Sequence, residues 1–183
     1  SSQAISHGVL EPRAVLAEYD VSGKLVVWTA TQSPYFVRRD LSLVLGIPES
    51  NIRVIKPFVG GGFGGKVELG SHQVAASLLS IKTGRPVKIC LTREEEMSIT
   101  RLRVPMVMYV KTGVKQDGSI MAQYVKCIAD GGAYASSSVL LMYNSGLTCL
   151  IPYRIPNFKY EGYMIYTNKP VSTIVNLRRV DHS

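Results

Sequence analysis

The sequence predicts an α+β (mixed α/β) fold in which helices pack on a twisted sheet. Runs rich in β-branched residues and runs with the apolar spacing of helices share one chain, and they do not alternate strictly as they do in parallel α/β proteins. The 183 residues, 46% hydrophobic and 19% charged, have the composition of a globular protein. A chain of this length can bury a proper core, so we expect a folded domain.

The first half of the chain predicts a hairpin, a helix, a strand and a second helix. These elements span residues 14–31, 34–45, 52–59 and 69–83. Ser33 before Pro34 is typical of a helix N-cap followed by proline at the first helical position. Gly46 and Gly84 predict where the two helices end, because glycine readily takes the left-handed conformation of a C-cap.

The second half predicts a short strand, a capped helical turn, a long hairpin, a helix and a last strand. The strand spans residues 86–91, the helical turn 92–96, the hairpin 106–128 and the helix 139–150. The last strand lies within residues 153–166. Asp117 and Gly118 form the turn of the hairpin. The three glutamates at 94–96 follow Thr92 at the start of the helical turn. Acids there favour the helix dipole, so we expect them to be solvated rather than catalytic.

Composition and spacing argue against several classes of function. No apolar run reaches the roughly 18 residues of a membrane-spanning helix, and the N-terminus lacks a signal-peptide pattern, so we expect a soluble, cytoplasmic protein with no membrane partner. The net charge of +8 is scattered without interleaved aromatics, so nucleic acid is not an expected partner. The cysteines and histidines stand too far apart for metal-ligand spacing. They are Cys90, Cys127, Cys149, His7, His72 and His182.

The most informative segment is the glycine loop, residues 60–66, which reads Gly-Gly-Gly-Phe-Gly-Gly-Lys. It lies between the predicted strand 52–59 and the predicted helix 69–83. Five glycines give a backbone that can take positive φ and present bare amides to an anion or a cofactor. The segment is therefore a candidate binding loop.

Three interpretations of the glycine loop remain open from the residues alone. Lys66 fits a phosphate-binding P-loop, but Val67 stands where a hydroxyl should hold magnesium. Gly60, Gly62 and Gly65 fit the spacing of a dinucleotide-binding loop, but the acid expected about 20 residues later is absent. The third interpretation is a strand-to-helix turn that binds nothing.

Six short segments, spread over nearly the whole chain, resemble the molybdenum-binding subunit of the xanthine dehydrogenase/aldehyde oxidase family. They are residues 7–12, 31–34, 59–66, 113–118, 130–134 and 166–170. Each segment is short, but their common order makes the resemblance specific. It implies that residues 1–172 form the first molybdopterin-binding domain of a larger subunit.

The resemblance implies a cofactor and the residues that bind it. The cofactor is molybdopterin with molybdenum, in bacteria usually as the cytosine dinucleotide form. Gln32 is expected to hydrogen-bond near the molybdenum oxygen ligands. Gly61, Gly62, Phe63 and Gly64 are expected to supply backbone to the cofactor, with the amide of Phe63 facing the molybdenum. No side chain of this chain is expected to ligate the metal.

The resemblance also implies a reaction and its limits. The family hydroxylates an aldehyde, aromatic or heterocyclic carbon, and Val67 replaces the glutamate that purine-oxidising members carry after the loop lysine. No residue here matches the family's general-base glutamate, so we expect no catalytic residue and no activity from this fragment alone. Expected partners are the remainder of the molybdenum subunit and iron–sulfur and flavin subunits or domains.

Residues 173–183 depart from the family pattern and form a divergent tail, with Asn176 at the position of the family's arginine. The altered tail leaves an alternative open, in which the chain is a non-catalytic, stand-alone binding or interaction module. Such a module would cover its exposed faces by self-association. A nucleotide-binding domain is a third possibility, against which Val67 counts.

Overall fold

The structure is a computed structural model that describes residues 1–134, 136–150, 153–169 and 172–173. Its strands are β1 (Ala14–Tyr19), β2 (Leu25–Thr29), β3 (Ile52–Ile55), β4 (Val87–Cys90), β5 (Leu102–Arg103), β6 (Met106–Val114), β7 (Ile120–Gly132), β8 (Asn157–Tyr166) and β9 (Ser172–Thr173). Its α-helices are α1 (Pro34–Leu45), α2 (Ser71–Thr83), α3 (Arg93–Ile99) and α4 (Ser138–Thr148). The chain divides into two compact units, one of residues 7–100 and one of residues 1–6 with the described residues from 101 onward.

The unit of residues 7–100 contains a four-stranded sheet in the order β3-β2-β1-β4. Strand β1 pairs antiparallel with β2 and with β4, while β2 pairs parallel with β3. The predicted hairpin is confirmed, because the amide of Asp20 donates to the carbonyl of Lys24 at 2.9 Å and Gly23 takes a φ of 84°. Helix α1 makes the crossover that a parallel β2–β3 pair requires.

The core of this unit lies between one face of the sheet and helices α1 and α2. Burial alternates along the strands: Val15 and Ala17 are buried, whereas Leu16 between them is exposed. This period of two is that of a strand with one face against the core. The buried cluster comprises Val15, Ala17, Leu25, Val27, Val37, Leu41, Ile52 and Ala76.

The predicted helix ends are confirmed. Gly46 and Gly84 cap α1 and α2 in the left-handed conformation, with φ values of 68° and 62°. Pro34 is the first residue of α1, although the Ser33 side chain makes no capping hydrogen bond. Thr92 caps α3 reciprocally: its Oγ1 accepts from the amide of Glu95 at 3.1 Å, and Glu95 Oε2 accepts from the amide of Thr92 at 2.8 Å.

The other unit contains a three-stranded sheet in the order β6-β7-β8. The predicted hairpin is β6 and β7, which pair antiparallel, and β8 pairs parallel with β7. Helix α4 packs on β8, where an ideal Cβ on Gly146 would lie 2.8 Å from Cδ1 of Tyr160. Only a glycine allows the helix to approach the strand this closely.

Two of the segments that resemble the family meet at one end of this sheet. Strand β7 has a register shift between Asp130 and Gly132. The Asp130 carboxylate accepts hydrogen bonds from Lys169 Nζ at 2.6 Å and from Thr167 Oγ1 at 2.5 Å. Residues 130–134 and 166–169 are therefore held together through the Asp130 carboxylate.

The mixed α and β class is confirmed, but the strands divide among three sheets in the described part of the chain rather than forming one. The third sheet is the short parallel pair β5 and β9, which was not predicted. Strand β3 ends at Ile55, earlier than predicted, and no described helix is both long and apolar enough to cross a bilayer. Apart from Thr173 in β9, the predicted tail, including Asn176, lies outside the described residues.

Candidate cofactor-binding site

The glycine loop connects β3 to α2 through a backbone that requires unusual conformations. Gly61 and Gly64 have φ values of 96° and 88°, which glycine adopts without steric cost. Phe63 between them has a φ of 48°, a conformation that costs an aromatic residue energy. The amide of Gly65 donates to the carbonyl of Gly62 at 2.8 Å and closes a tight turn around Phe63. The loop thus has a defined, hydrogen-bonded conformation.

Gln32 follows β2 and packs against the loop. Its Oε1 accepts hydrogen bonds from the amides of Gly64 at 3.0 Å and Lys66 at 3.2 Å. Both partners are donors, so this atom must be the oxygen of the carboxamide. Nε2 then remains as a donor with no hydrogen-bond partner among the described residues. An ideal Cβ on Gly62 would lie 2.5 Å from Gln32 Oε1, so the close fit needs glycine there.

Residues just after β2 also hold the end of the loop. The amide of Gln32 donates to the carbonyl of Lys66 at 2.8 Å, and Thr31 Oγ1 donates to the same carbonyl at 3.0 Å. Thr31 is buried, and its Oγ1 also accepts from the amide of Ser33 at 3.1 Å. The strand end and the loop end are therefore joined by a short hydrogen-bonded ladder.

An ion pair between a buried lysine and a partly exposed glutamate lies beneath the loop. Lys66 Nζ donates to Glu11 Oε2 at 2.8 Å and to the Glu11 carbonyl at 2.9 Å, and the Lys66 side chain is only 1% exposed. Glu11 Oε2 also accepts from the amide of Gly60 at 2.8 Å. Burial acts to raise the pKa of Glu11, but the hydrogen bonds from Lys66 and Gly60 outweigh it and hold that pKa below its ordinary value.

This ion pair decides against the P-loop interpretation. In a P-loop the lysine ammonium reaches the β- and γ-phosphates of the nucleotide. Lys66 Nζ is instead buried and bound to Glu11, so it does not face a ligand on the outside of the loop. The lysine here is a structural cation, and Val67 offers no hydroxyl to magnesium.

A second ion pair, buried on both sides, supports the loop from α3. Arg13 is 8% exposed and Glu96 is 3% exposed, and the two form a salt bridge through Arg13 Nη1 and Glu96 Oε1. The Arg13 amide donates to Glu96 Oε2 at 2.9 Å, while Arg13 Nη2 donates to the carbonyl of Gly65. Arg13 thus links α3 to the loop. The prediction that the three glutamates are solvated is wrong for Glu96, although Glu94 and Glu95 are exposed.

His72, in the first turn of α2, is a buried neutral group beside these cations. It is 8% exposed, and its Nε2 has no hydrogen-bond partner in the described ranges. Burial lowers the pKa of His72 to about 4, and the positive charges of Arg13 and Lys66 act in the same direction. A charged imidazole would therefore be strongly disfavoured at neutral pH.

The hydrogen bonds of the loop leave one stretch of backbone amides unused. The amides of Gly60, Gly64, Gly65 and Lys66 all donate within the protein. The amides of Gly61, Gly62 and Phe63 have no partner among the residues that the structure describes. Successive amides of this kind, in a loop with positive φ, form a concave site for anions and oxygen ligands.

The structure brings together the residues predicted for the site. Gln32 lies against the loop that contains Gly61, Gly62, Phe63 and Gly64. The Gly64 amide donates to Gln32, so Gly64 contributes by its conformation and not as a free donor. The described part of the chain contains no cluster of side chains that could hold a metal ion.

Four residues behind the loop were not predicted: Glu11, Arg13, His72 and Glu96. Their partners are distant in sequence, because Arg13 and Glu96 are 83 positions apart and Glu11 and Lys66 are 55 positions apart. Local pattern carries no signal for such contacts. The one signal available was Glu11 itself, which belongs to a segment that resembles the family.

Comparison with known proteins identifies the family to which this chain belongs. The family model described as the molybdopterin cofactor-binding domain matches residues 1–176. The nicotinate dehydrogenase large molybdopterin subunit of Eubacterium barkeri is 38% identical over 172 residues, which are 94% of this chain and 40% of that protein. The xanthine dehydrogenase molybdenum-binding subunit of Escherichia coli is 34% identical over 166 residues, which are 91% of this chain and 22% of that protein.

Solved structures agree. Quinoline 2-oxidoreductase from Pseudomonas putida 86 superposes with a TM-score of 0.87 at 31% identity, over 96% of this chain and 23% of that one. The CO dehydrogenase from Oligotropha carboxidovorans gives a TM-score of 0.81 at 30% identity, over 95% of this chain and 22% of that one. The chain spans less than half the length of each of these proteins. It belongs to the family of molybdopterin cofactor-binding domains found in molybdenum-binding subunits of xanthine, aldehyde and nicotinate dehydrogenases.

Proposed function

We propose that this chain is the part of a molybdenum hydroxylase that binds molybdopterin at the glycine loop. One observation carries the proposal: Gly61, Gly62 and Phe63 present three consecutive unpaired amides, while the other amides of the loop are bonded within the protein. Oriented amides attract the negatively charged oxygen atoms of phosphate groups and of metal centres. The loop is therefore organised as a donor surface.

The donor set fits an acceptor-rich group such as molybdopterin with molybdenum. Gln32 adds the Nε2 donor beside the loop, because its oxygen is already bonded to Gly64 and Lys66. The nearby carboxylates of Glu11 and Glu96 are paired with buried cations, so their charges do not repel an anion. We assign Gln32 and the Gly61–Phe63 amides to hold the cofactor, with the Phe63 amide toward the molybdenum and Gly64 shaping the loop.

When bound, molybdopterin with its molybdenum supplies oxidative hydroxylation of a carbon atom with oxygen from water. The residues of this chain hold and orient the group, and the base that accepts a proton belongs to the remainder of the subunit. On this proposal the chain alone is inactive. Its complete protein works with iron–sulfur and flavin subunits or domains in the cytoplasm, and its cofactor is the cytosine dinucleotide form.

The substrate class we propose is an aldehyde, aromatic or heterocyclic carbon. The names of two similar proteins, a nicotinate dehydrogenase and a quinoline oxidoreductase, refer to nitrogen heterocycles. Val67 lacks the carboxylate with which purine-oxidising members hold their substrate, and its apolar side chain suits a substrate without that hydrogen bond. Purines are therefore excluded from the proposed class.

The cofactor is tested in the full-length protein produced with its partner subunits and with molybdate in the medium. We expect about one molybdenum per polypeptide by elemental analysis, a pterin detectable by fluorescence after oxidation, and cytidine monophosphate after acid hydrolysis. A stoichiometric complex that never contains molybdenum would contradict the proposal. A metal-free oligomer that buries its exposed faces would support a non-catalytic module instead.

Gln32 is tested by two substitutions that separate its two atoms. Gln32→Glu keeps an acceptor oxygen for Gly64 and Lys66 but removes the outward donor, whereas Gln32→Ala removes both. We expect Gln32→Glu to lower turnover by about 10- to 100-fold while the melting temperature changes little. Gln32→Ala should lower both, because the loop loses two hydrogen bonds. Turnover of Gln32→Glu within twofold of wild type would reject the assigned role. A twofold change corresponds to only roughly 0.4 kcal/mol in the activation free energy.

A further inference from the structure

Glu11 ties the two ends of the glycine loop together through a single oxygen atom. Glu11 Oε2 accepts from the amide of Gly60, the first residue of the loop, and from Nζ of Lys66, its last residue, both at 2.8 Å. The main chain of Glu11 adds two bonds, one from its amide to the carbonyl of Gly60 at 3.3 Å and one to its carbonyl from Lys66 Nζ at 2.9 Å. The loop is closed at its base by one residue.

Glu11 makes close contacts with both Gly60 and Lys66. An ideal Cβ on Gly60 would lie 2.7 Å from the Cβ of Glu11, so a side chain at Gly60 would force the two segments apart. The ammonium of Lys66 is buried, and Glu11 provides the one carboxylate that pairs with it in the described ranges. A buried charge without a counter-charge is strongly destabilising, so the buried Lys66 keeps the partly exposed Glu11 carboxylate beside it.

This closure determines which amides are free. Glu11 uses the donors at both ends of the loop, and Gln32 uses the amides of Gly64 and Lys66. The segment from Gly61 to Phe63 lies between these held residues, and its amides donate to none of these acceptors. Donors that are already fixed bind a ligand without the cost of ordering them.

We propose that Glu11 is a positioning residue, which holds the Gly61–Phe63 amides in the geometry that receives the cofactor. The inference rests on the proposed function, because the ligand of those amides is the cofactor assigned there. It adds a residue that does not touch the cofactor itself. Glu11 acts through Gly60 and Lys66.

The test compares three variants of the full-length protein, produced with its partners and with molybdate. Glu11→Ala removes the closure, and Glu11→Gln keeps an acceptor oxygen for both donors. Glu18→Ala is the matched control, because Glu18 is an exposed glutamate on β1 of the same unit. The readouts are hydrogen exchange of the peptide that covers residues 60–66 and molybdenum per polypeptide.

We expect Glu11→Ala to speed exchange of the loop amides by about tenfold and to lower molybdenum content by about tenfold. Glu11→Gln keeps the acceptor oxygen but leaves Lys66 without its counter-charge, so it should rescue only part of both losses, and Glu18→Ala should match the wild type. Wild-type exchange and wild-type molybdenum content in Glu11→Ala would overturn the proposal. Equal losses in Glu11→Gln and Glu11→Ala would overturn the role of the shared oxygen atom.

Glu11→Ala leaves the Lys66 ammonium buried without its counter-charge and can fail to fold for that reason alone. The double variant Glu11→Leu/Lys66→Met removes both charges and keeps apolar volume, so the fold should persist. We expect this variant to show a cooperative melt, rapid exchange in the loop and low molybdenum content. A folded double variant with full molybdenum content would overturn the proposal.

The two proposals can fail separately. A wild-type protein without molybdenum contradicts the proposed function, and the exchange measurement still tests the closure by Glu11. A loaded wild type with unchanged loop exchange in Glu11→Ala contradicts the positioning role alone.

Discussion

At Gly62, the side chain of Gln32 occupies the space that a Cβ would need. An ideal Cβ would lie 2.5 Å from both Cδ and Oε1 of Gln32. Gly62→Ala must therefore move the carboxamide away from the amides of Gly64 and Lys66, and each of those bonds is worth about 1 kcal/mol. We expect the free energy of unfolding to fall by about 2 kcal/mol. Urea denaturation followed by the fluorescence of Trp28, the only tryptophan of the chain, measures it.

The same substitution in a Gln32→Ala background provides the control. There the carboxamide is already absent, so the added methyl group meets no obstacle from it. We expect Gly62→Ala to cost less than about 0.5 kcal/mol in that background. A similar cost in both backgrounds would show that the loss at Gly62 has another origin than Gln32.

At the scale of elements, α3 combines an exposed start with one buried acid. Glu96 is 3% exposed and bonds both the side chain and the amide of Arg13, whereas Glu94 is exposed. Glu96→Ala would remove the carboxylate that neutralises the buried Arg13 guanidinium, which costs about 4 kcal/mol. Glu94→Ala should change stability by less than about 0.5 kcal/mol. Denaturation of both variants measures the difference, and equal small effects would refute the pairing as a source of stability.

The sequence predicted local features of the elements well because their causes are local. Gly46 and Gly84 end helices by their freedom to take left-handed conformations, and Thr92 caps α3 with a bond to a residue three positions later. It did not predict that β8 pairs parallel with β7 or that β5 pairs with β9. Those pairings join segments far apart in the chain, so no short pattern encodes them.

The same division holds for the site. Gln32 and the glycine loop were predicted, by resemblance and by the dense glycines. Glu96 was expected to be solvated because it stands in a run of acids, and the structure buries it against Arg13. The run alone gives no indication which of its members faces the core, because the direction of that face depends on how α3 packs. The sequence thus identified the loop that we propose as the cofactor site, but not the ion pairs beneath it.

At the scale of the whole molecule, the buried imidazole of His72 makes stability depend on pH. His72 lies among buried groups beside Arg13 and Lys66, and burial with those charges lowers its pKa to about 4 from an ordinary value of 6.5. The folded protein therefore binds a proton at His72 less readily than the unfolded chain does. The neutral imidazole of His72 therefore contributes its full stability only at pH values where His72 is also neutral in the unfolded chain.

The sign follows from that difference. Above pH 6.5, His72 is neutral in both the folded and the unfolded state, and its contribution to stability is fully present. As the pH falls from about 6.5 to about 4, the unfolded chain takes up a proton at His72 before the folded protein does, so the free energy of unfolding decreases. The loss amounts to about 3 kcal/mol over this window. Urea denaturation at a series of pH values measures it, and His72→Gln should flatten the slope between pH 4 and 6.5 by up to one proton, about 1.4 kcal/mol per pH unit. An unchanged slope in His72→Gln would mean that other groups, and not the imidazole under the loop, set the acid sensitivity of the molecule.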